Sequence, residues 1–452
     1  MSYLFKNGFI FFLMIWFAFL ASCEDYEKAP SDYLKDWPEA ENYKQENSLQ
    51  CETDIPEDIS EWSEVELPLE ISGQDNGDES ILYSVSIAHY WLLKNQLPSG
   101  NYLYDWNAKT GETTDTTSTI QMLATAWSQL LVHRFLQHRE FLLAAYRAIK
   151  VNMGSLSDTV TADTQTTIAH AGSLARTAFL AFCLIEFEDI MEAEEFREDI
   201  DKIGEYFLYQ VDESGCIYNQ YPHNNECGSS YSEFAVGQAL VALERFYRYT
   251  KDERYLNKIE AAANYYYNYY HTEAHFSDDI YFVSWATGPI VSLLLERPDP
   301  EMEEWVYEMA DYMESDQYQP TDRVDYIGGF KRRSDKPPTW SAASMLEGIL
   351  DAYRLAKARG DQEKMEKYHR AGRFGVHFLI NLQYRVSNVD KYDLIDPERA
   401  IGAYHFSHWK EASSISRHYI RTDYMDHFAI TILKAISYLD LPVDYPGDGF
   451  AE

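Results

Sequence analysis

From Tyr231 to Tyr270 the chain reads YSEFAVGQALVALERFYRYTKDERYLNKIEAAANYYYNYY. Small and apolar residues surround Tyr231 to Leu243 on nearly every side, the pattern of a helix buried all round. Tyr255 to Tyr270 is amphipathic and charged, the pattern of a helix with one wet face. Only Tyr249-Thr250-Lys251-Asp252 joins them, so the pair reads as an antiparallel hairpin with an inner and an outer member.

Apolar spacing at i, i+3, i+4 and i+7 extends this reading along the chain. It predicts helices over 79–96, 116–137, 139–153, 168–189, 193–210, 231–250, 252–271, 284–297, 300–314, 339–360, 361–383 and 422–439. The even-numbered ones, such as Ile168 to Asp189 (IAHAGSLARTAFLAFCLIEFED) and Trp285 to Leu295, are the least charged and are expected inside. Links after even helices are a few residues, whereas links before them run from about a dozen to nearly forty, far beyond ordinary helix connections. Antiparallel alternation puts every long link on one end of the array, which becomes a working face. Twelve helices exceed one small bundle, so the expected fold is all-α, six hairpins closed into a double ring, with an open solenoid as the alternative. Echoes support repetition: Gln96 followed by Gly100 and Tyr104, Gln210 followed by Gly215 and Tyr218, and Gln383 at another outer-helix end.

The chain is 46% hydrophobic and 15% aromatic, enough for one large core. Its formal net charge of -36 argues against a nucleic-acid partner, which needs a basic footprint. No phosphate loop, dinucleotide fingerprint, zinc-type spacing or EF-hand is present, so neither a cofactor nor a metal is expected.

The amino end differs in kind. Lys6 precedes an apolar run from Phe9 to Leu20, and Leu20-Ala21-Ser22-Cys23 resembles the lipobox of a bacterial lipoprotein signal peptide. That resemblance implies removal of residues 1–22, lipid on Cys23 as the membrane contact, and a lipid-anchored place in the cell envelope at the outer membrane. Residues 23–75 then read as an acidic tether, 76–445 as the ring and 446–452 as a tail. Cys183 reads as a core thiol; Cys216 has Cys227 or Cys51 as possible partners.

The long links carry the chemistry-bearing residues. Tyr104 and Trp106 lie in the first, Tyr218 and Tyr231 in and after the third, and Asp278, Asp279 and Trp285 around the fourth. Rings that stack on sugar faces, beside Asp, Asn and His that bond hydroxyls, suit a glycan partner. The densest polar cluster is Tyr404, His405, His408, Trp409, Arg417, His418, Arg421, Asp423 and His427. Asp423 and His427 are one turn apart and share a helix face, so Asp423 is a candidate acid or base that His427 orients. Glu233, three residues from Ser230, fits a capping box or a catalytic carboxylate. Asp278 or Asp279 is the expected partner of Asp423. Glu347 falls on the stripe of Trp340 and Ser344, where a carboxylate must be bonded or protonated. Lys331-Arg332-Arg333 with Arg421 form basic islands that suit acidic glycans.

With these aromatic links and repeated segments, including Gly328-Gly329-Phe330, residues 76–445 resemble the six-hairpin (α/α)6-toroid carbohydrate-active proteins. The resemblance implies a cavity where inner-helix amino ends converge. It implies glycoside hydrolysis by a carboxylate pair drawn from Asp423, Asp278, Asp279 and Glu233, with His427 in support. Tyr104, Trp106, Tyr218, Tyr231, Trp285, Trp340, Arg332, His405 and Arg421 are then expected to hold substrate. The alternatives are a lyase or epimerase using Tyr404, His405, His408 and Arg421, or a glycan-binding lipoprotein without catalysis.

Overall fold

Three of the five short links end in aspartates that start the next helix. Asp252, Asp299 and Asp361 accept hydrogen bonds from first-turn amides, those of Arg254, of Glu301 and Met302, and of Lys364. Each such cap contributes about 1 kcal/mol. The computed structural model describes residues 81–114, 118–161, 164–169, 173–221, 223, 233–275, 280–320, 322–331, 338–407 and 417–441.

Among the described residues twelve long helices result: α1 (Ile81–Lys94), α2 (Thr119–Leu136), α3 (Arg139–Met153), α4 (Leu174–Met191), α5 (Arg197–Gln210), α6 (Glu233–Thr250), α7 (Glu253–Thr272), α8 (Ile280–Glu296), α9 (Pro300–Ser315), α10 (Ala342–Arg359), α11 (Gln362–Asn381) and α12 (Thr422–Leu439). The even helices form a closed inner ring in which each packs on the next and α12 returns to α2. Each odd helix lies outside, in contact with two neighbouring inner ones; α1 bridges α12 and α2. The architecture is the (α/α)6 toroid. Among the described residues, no helix is long and apolar enough to cross a membrane.

Two boundaries depart from the sequence reading. α4 begins at Leu174, because residues 156–169 form an antiparallel hairpin of β2 (Leu156–Thr161) and β3 (Thr164–Ala169). Its Thr- and Val-rich alternation prefers a pleated strand to a helical turn. α8 begins at Ile280 and α7 runs to Thr272, so the fourth long link is only residues 273–279. Trp285 therefore sits more than one turn inside α8 rather than at its start.

The echoes in sequence are four copies of one clasp. At the ends of α1, α5, α9 and α11, a residue bridges a later one: Gln96 to Tyr102, Val211 to Ile217, Gln317 to Phe330 and Gln383 to Tyr404. Between them stands a glycine with φ from +87° to +97°, namely Gly100, Gly215, Gly328 and Gly402. Each lies against the backbone of another outer helix. An added Cβ would come 2.0 Å from the Ala261 carbonyl oxygen at Gly215 and 2.2 Å from that of Ile87 at Gly402. A glutamine fastens each clasp: Gln383 Nε2 donates to the carbonyls of Ser84 and Gly402 at 2.8 and 2.9 Å. Gln317 does the same to Gly328 and Ala371, both at 3.0 Å.

Gly402→Ala combines a disfavoured φ with a backbone collision, so a loss of about 2 kcal/mol or more is expected in urea unfolding. Gly360→Ala is the control: φ is +71° but nothing lies within 4 Å, and the loss should stay near about 1 kcal/mol. Equal losses at the two positions would refute the clasp.

Candidate functional site

The sixth long link ends in β4 (Tyr419–Arg421), which pairs antiparallel with β1 (Asp105–Asn107) of the first link, Asp105 opposite Arg421. Asp105 fixes this ribbon by accepting from the Thr114 amide at 2.7 Å and the Tyr419 hydroxyl at 2.6 Å. α12 starts directly afterwards, so Arg421 and Asp423 are placed by strand and helix together.

Arg421 turns its guanidinium onto Asp423 as a two-pronged pair, Nε to Oδ1 at 2.9 Å and Nη2 to Oδ2 at 2.5 Å. The same guanidinium lies over the rings of Tyr104, at 5.2 Å, and Tyr424, at 5.6 Å. The Asp423 side chain is only 13% exposed. Burial pushes its carboxyl above the usual aspartate range, against the opposing pull of Arg421 and His427.

One turn along, His427 Nδ1 lies 2.9 Å from Glu347 Oε1 on α10. Burial pulls the imidazole down, but the Glu347 bond and the charges of Glu347, Asp423 and Asp426 outweigh it, leaving His427 above its ordinary value. Nδ1 therefore carries a proton toward Glu347. Around the imidazole stand Trp285, edge-on at 5.6 Å, and Trp340 at 5.9 Å. Trp340 also stacks on Tyr424 at 4.5 Å. Asp426 is buried against α2, accepting from Ser128 Oγ at 2.9 Å and Thr125 Oγ1 at 3.1 Å. Burial holds its carboxyl well above the usual range.

The indole N–H of Trp285, beside His427, is buried without a protein partner. Such groups mark positions that a ligand or water completes. At the starts of α6 and α8, Phe234, 44% exposed, stacks on Tyr281 at 4.3 Å. This flat aromatic step is available to solvent. On the third link Tyr218 stacks on His223 at 4.0 Å.

The structure thus brings together Tyr104, Trp285, Trp340, Arg421, Asp423 and His427. It corrects the roles of two: Arg421, rather than His427, grips Asp423, and His427 is held by Glu347. Trp106 and His405 do not reach the site. Trp106 is 1% exposed with Arg399 over its ring at 4.5 Å. His405 is fully buried behind the Gln383–Tyr404 bridge, its Nδ1 on the Ser407 carbonyl at 3.0 Å. Tyr404 is buried in that clasp, and burial keeps the neighbouring His418 neutral, its pKa down to about 4. Tyr404 and His405 are link residues that pack the clasp, and residue type alone does not separate them from those near Asp423.

Asp278, Asp279, Tyr231, Arg332, His408 and Cys23 lie outside the described residues, as does the side chain of Glu233, the first residue of α6. Because α8 starts at Ile280, Asp279 is the residue immediately before a helix, a position that also suits a cap. Sequence reasoning missed Asp426, Phe234 and the Glu347–His427 pair. The Trp340, Ser344, Glu347 stripe was visible, but a contact 80 residues away in sequence left no signal. Cys183 is a buried free thiol and Cys216 is disulfide-bonded, so the partner of Cys216 lies outside the described residues. Among the described residues, no cluster of His, Cys, Asp and Glu is arranged to hold a metal ion.

No family model and no curated protein matches the chain. Solved structures do match in fold. The GH76A alpha-1,6-mannanase from Salegentibacter sp. HEL1_6 aligns with TM-score 0.53 and 10% identity over 79% of this chain and 99% of its own. Cellobiose 2-epimerase from Bacillus thermoamylovorans B4167 aligns with TM-score 0.54 and 12% identity over 78% and 98%. An unsaturated glucuronyl hydrolase specific for heparin aligns with TM-score 0.53 and 12% identity over 78% and 96%. At such identities the likeness is one of fold, and it agrees with the ring described above.

His427 titrates above its ordinary 6.5 in the folded chain. Its pair with Glu347 therefore stabilises the fold fully below that pH and loses this contribution as pH rises through the raised value. The melting-temperature advantage of the wild type over His427→Gln should be greatest in mild acid and shrink on the alkaline side. A difference independent of pH would show that the pair does not titrate as described.

Proposed function

We propose that this chain is a glycan-active enzyme working at the inner-helix amino ends, most simply a glycoside hydrolase. The observation that carries the proposal is Asp423. It is a carboxyl raised by burial, set in the first turn of an inner helix and gripped by Arg421. Trp340 stacks on the adjoining Tyr424. A carboxyl whose proton affinity is raised by burial, beside aromatic surfaces, is suited to give a proton to a glycosidic oxygen. Arg421 fixes its orientation, and the imidazole of His427 is available to bond a sugar hydroxyl. Tyr104 and Trp340 supply faces for sugar rings, and the unpaired Trp285 N–H a donor.

The second carboxylate, which activates water, is assigned to Glu233, Asp278 or Asp279. α6 stands opposite α12 in the ring. With inner helices about 8 to 10 Å apart, axes across a six-membered ring are separated by about 16 to 20 Å. Carboxylates reaching inward from both sides would then be separated by several ångströms, room for a water. The Salegentibacter mannanase is also known as an inactive variant with two consecutive aspartates replaced. Asp278-Asp279 is such a consecutive pair in this chain.

The His427–Glu347 dyad favours a second reading, epimerisation or isomerisation by proton transfer beside a carbonyl. Cellobiose 2-epimerase and a D-mannose isomerase share the fold at TM-score 0.54. The lipobox-like segment and the disulfide at Cys216 support secretion into an oxidising compartment with a lipid anchor on Cys23, facing polysaccharide outside the cytoplasm. Arg332 and Arg333 remain the residues proposed to favour acidic glycans.

Incubation with neutral and uronate-containing polysaccharides, scored for reducing ends, ultraviolet absorbance and epimerised sugars, separates these chemistries. New reducing ends without absorbance are expected. Asp423→Asn should lower kcat by about 10² to 10⁴ while retaining glycan affinity; full activity in that variant would sink the assignment. Trp340→Ala should instead raise KM with a smaller change in kcat.

A further inference from the structure

The outer wall of the ring carries a second aromatic and polar surface, at the same end as the inner-helix amino ends but outside the inner ring. The carboxyl half of α7 and the third-link turn enclose a groove of about 220 Å³, lined by Ser214, Asn264, Tyr265, Asn268, Tyr269, Thr272 and Glu273. Its order follows from helical geometry. Asn264, Asn268 and Thr272 recur every four residues, as do Tyr265, Tyr269 and Glu273, giving two parallel rails with a repeat of about 6 Å. Asn264, Asn268, Thr272 and Glu273 are exposed, and the two tyrosines half-buried. Each tyrosine is braced edge-on by the next ring, Tyr265 by Tyr266 and Tyr269 by Tyr270, both at 5.1 Å.

The polar rail is also set in place. Asn264 and Asn268 turn their Nδ2 groups back to the carbonyls of Glu260 and Asn264, at 3.0 and 2.8 Å. That orientation leaves each Oδ1 on the outer side as an acceptor. Ser214 is fixed by Asp212, whose Oδ1 accepts from its hydroxyl at 2.7 Å. Asp212 opens the turn that Gly215 seats on the Ala261 carbonyl, so the clasp itself builds one wall of the groove.

We infer that this groove is a binding site for a neutral oligosaccharide chain, distinct from the inner-helix cavity. Rigid tyrosine faces beside oriented amides and hydroxyls match alternating C–H faces and hydroxyl edges of sugars. The lining excludes other occupants. It holds no aliphatic side chain for an amphipathic helix to anchor on. It has no Lys or Arg, and Glu273 opposes nucleic acid and acidic glycans alike. Its volume suits roughly one or two sugar rings, below the range of larger ligand pockets. A site there would hold polysaccharide beside the third link, raising its local concentration at the cavity mouth.

The test is affinity electrophoresis of the full chain in mild detergent, through gels containing soluble mannan, hydroxyethylcellulose, starch or polygalacturonate. Retardation by at least one neutral polymer is expected, weakened about tenfold in Tyr269→Ala and in Asn268→Ala, and retained in Tyr269→Phe, which keeps the ring. Thr272→Arg, at an exposed position, should block the groove without unfolding the chain, as circular dichroism would verify. Trp340→Ala should leave this retardation in place and impair only the cavity, so a failure of the catalytic reading would not be mistaken for failure here. The inference is overturned if no neutral polymer retards the wild type. It is equally overturned if Tyr269→Ala and Thr272→Arg migrate as the wild type does, or if only polygalacturonate binds.

Discussion

Ring closure is the constraint on which everything else depends. An array of helical hairpins leaves one apolar flank bare at each end, and only the return of α12 to α2 removes both. Packing alone tolerates sliding, so the last outer helix is fastened to the first by specific contacts. Gln383 reaches the Ser84 carbonyl, and Gly402 lies on the Ile87 backbone so closely that no side chain fits. These contacts span about three hundred residues of chain. The same device recurs at three other outer-helix ends, which explains why the chain repeats Gln and Gly at outer-helix ends with little else in common.

A second belt of buried polar groups sets the inner helices against one another. Glu186 on α4 receives Arg134 of α2 at 2.6 Å and Arg245 of α6 at 2.9 Å, and these two cations keep its carboxyl below the usual range despite burial. Ser292 of α8 joins Arg248 of α6, at 3.1 Å, to Arg354 of α10, at 3.2 Å. Lys434 and Asp351 join α12 to α10 at 2.7 Å, and Asp426 joins α12 to the α2 hydroxyls. Every neighbouring pair in the inner ring is thus crossed by a directional contact. Apolar faces would pack in many rotations, whereas an unpaired buried charge costs about 3 to 5 kcal/mol, so these pairs select one rotation of each helix. The Glu347–His427 pair belongs to this belt, which is how the scaffold fixes the imidazole that faces Trp285 and Trp340.

The ring was legible because its signal is local. Apolar periodicity, short capped links and the even-odd contrast in charge are properties of single segments, and α12 falls on the predicted residues 422–439. Where a segment carried a competing local preference, the reading failed: β-branched residues 156–169 became a hairpin and shortened α4. The site was legible only in part. Asp423 and His427 were visible as a helix face, but their partners were assigned to each other, since Arg421 lies on a strand whose pairing with β1 cannot be read from spacing. Trp106 and His405 have the residue types of a sugar site and yet are buried by Arg399 and by the last clasp. Their fate depends on the path of a link of some forty residues, which no periodicity describes.

That division has a functional consequence. The clasps hold the roots of the long links, while Arg421, Asp423 and His427 stand where the sixth link runs into α12. Ring stability therefore rests on Gln, Gly and backbone carbonyls at the roots, and the proposed chemistry rests on residues outside these clasps. A fold built this way lets the cavity side chains change while the ring stays closed, which is consistent with a mannanase, an epimerase and a glucuronyl hydrolase sharing it at 10 to 12% identity to this chain. Arg421 and Asp423 lie where the two arrangements meet: the first ends the closing ribbon and the second begins the last inner helix. Closing the ring and orienting the proposed acid are accordingly one structural event, and the acid is in place only when the first and sixth links have paired.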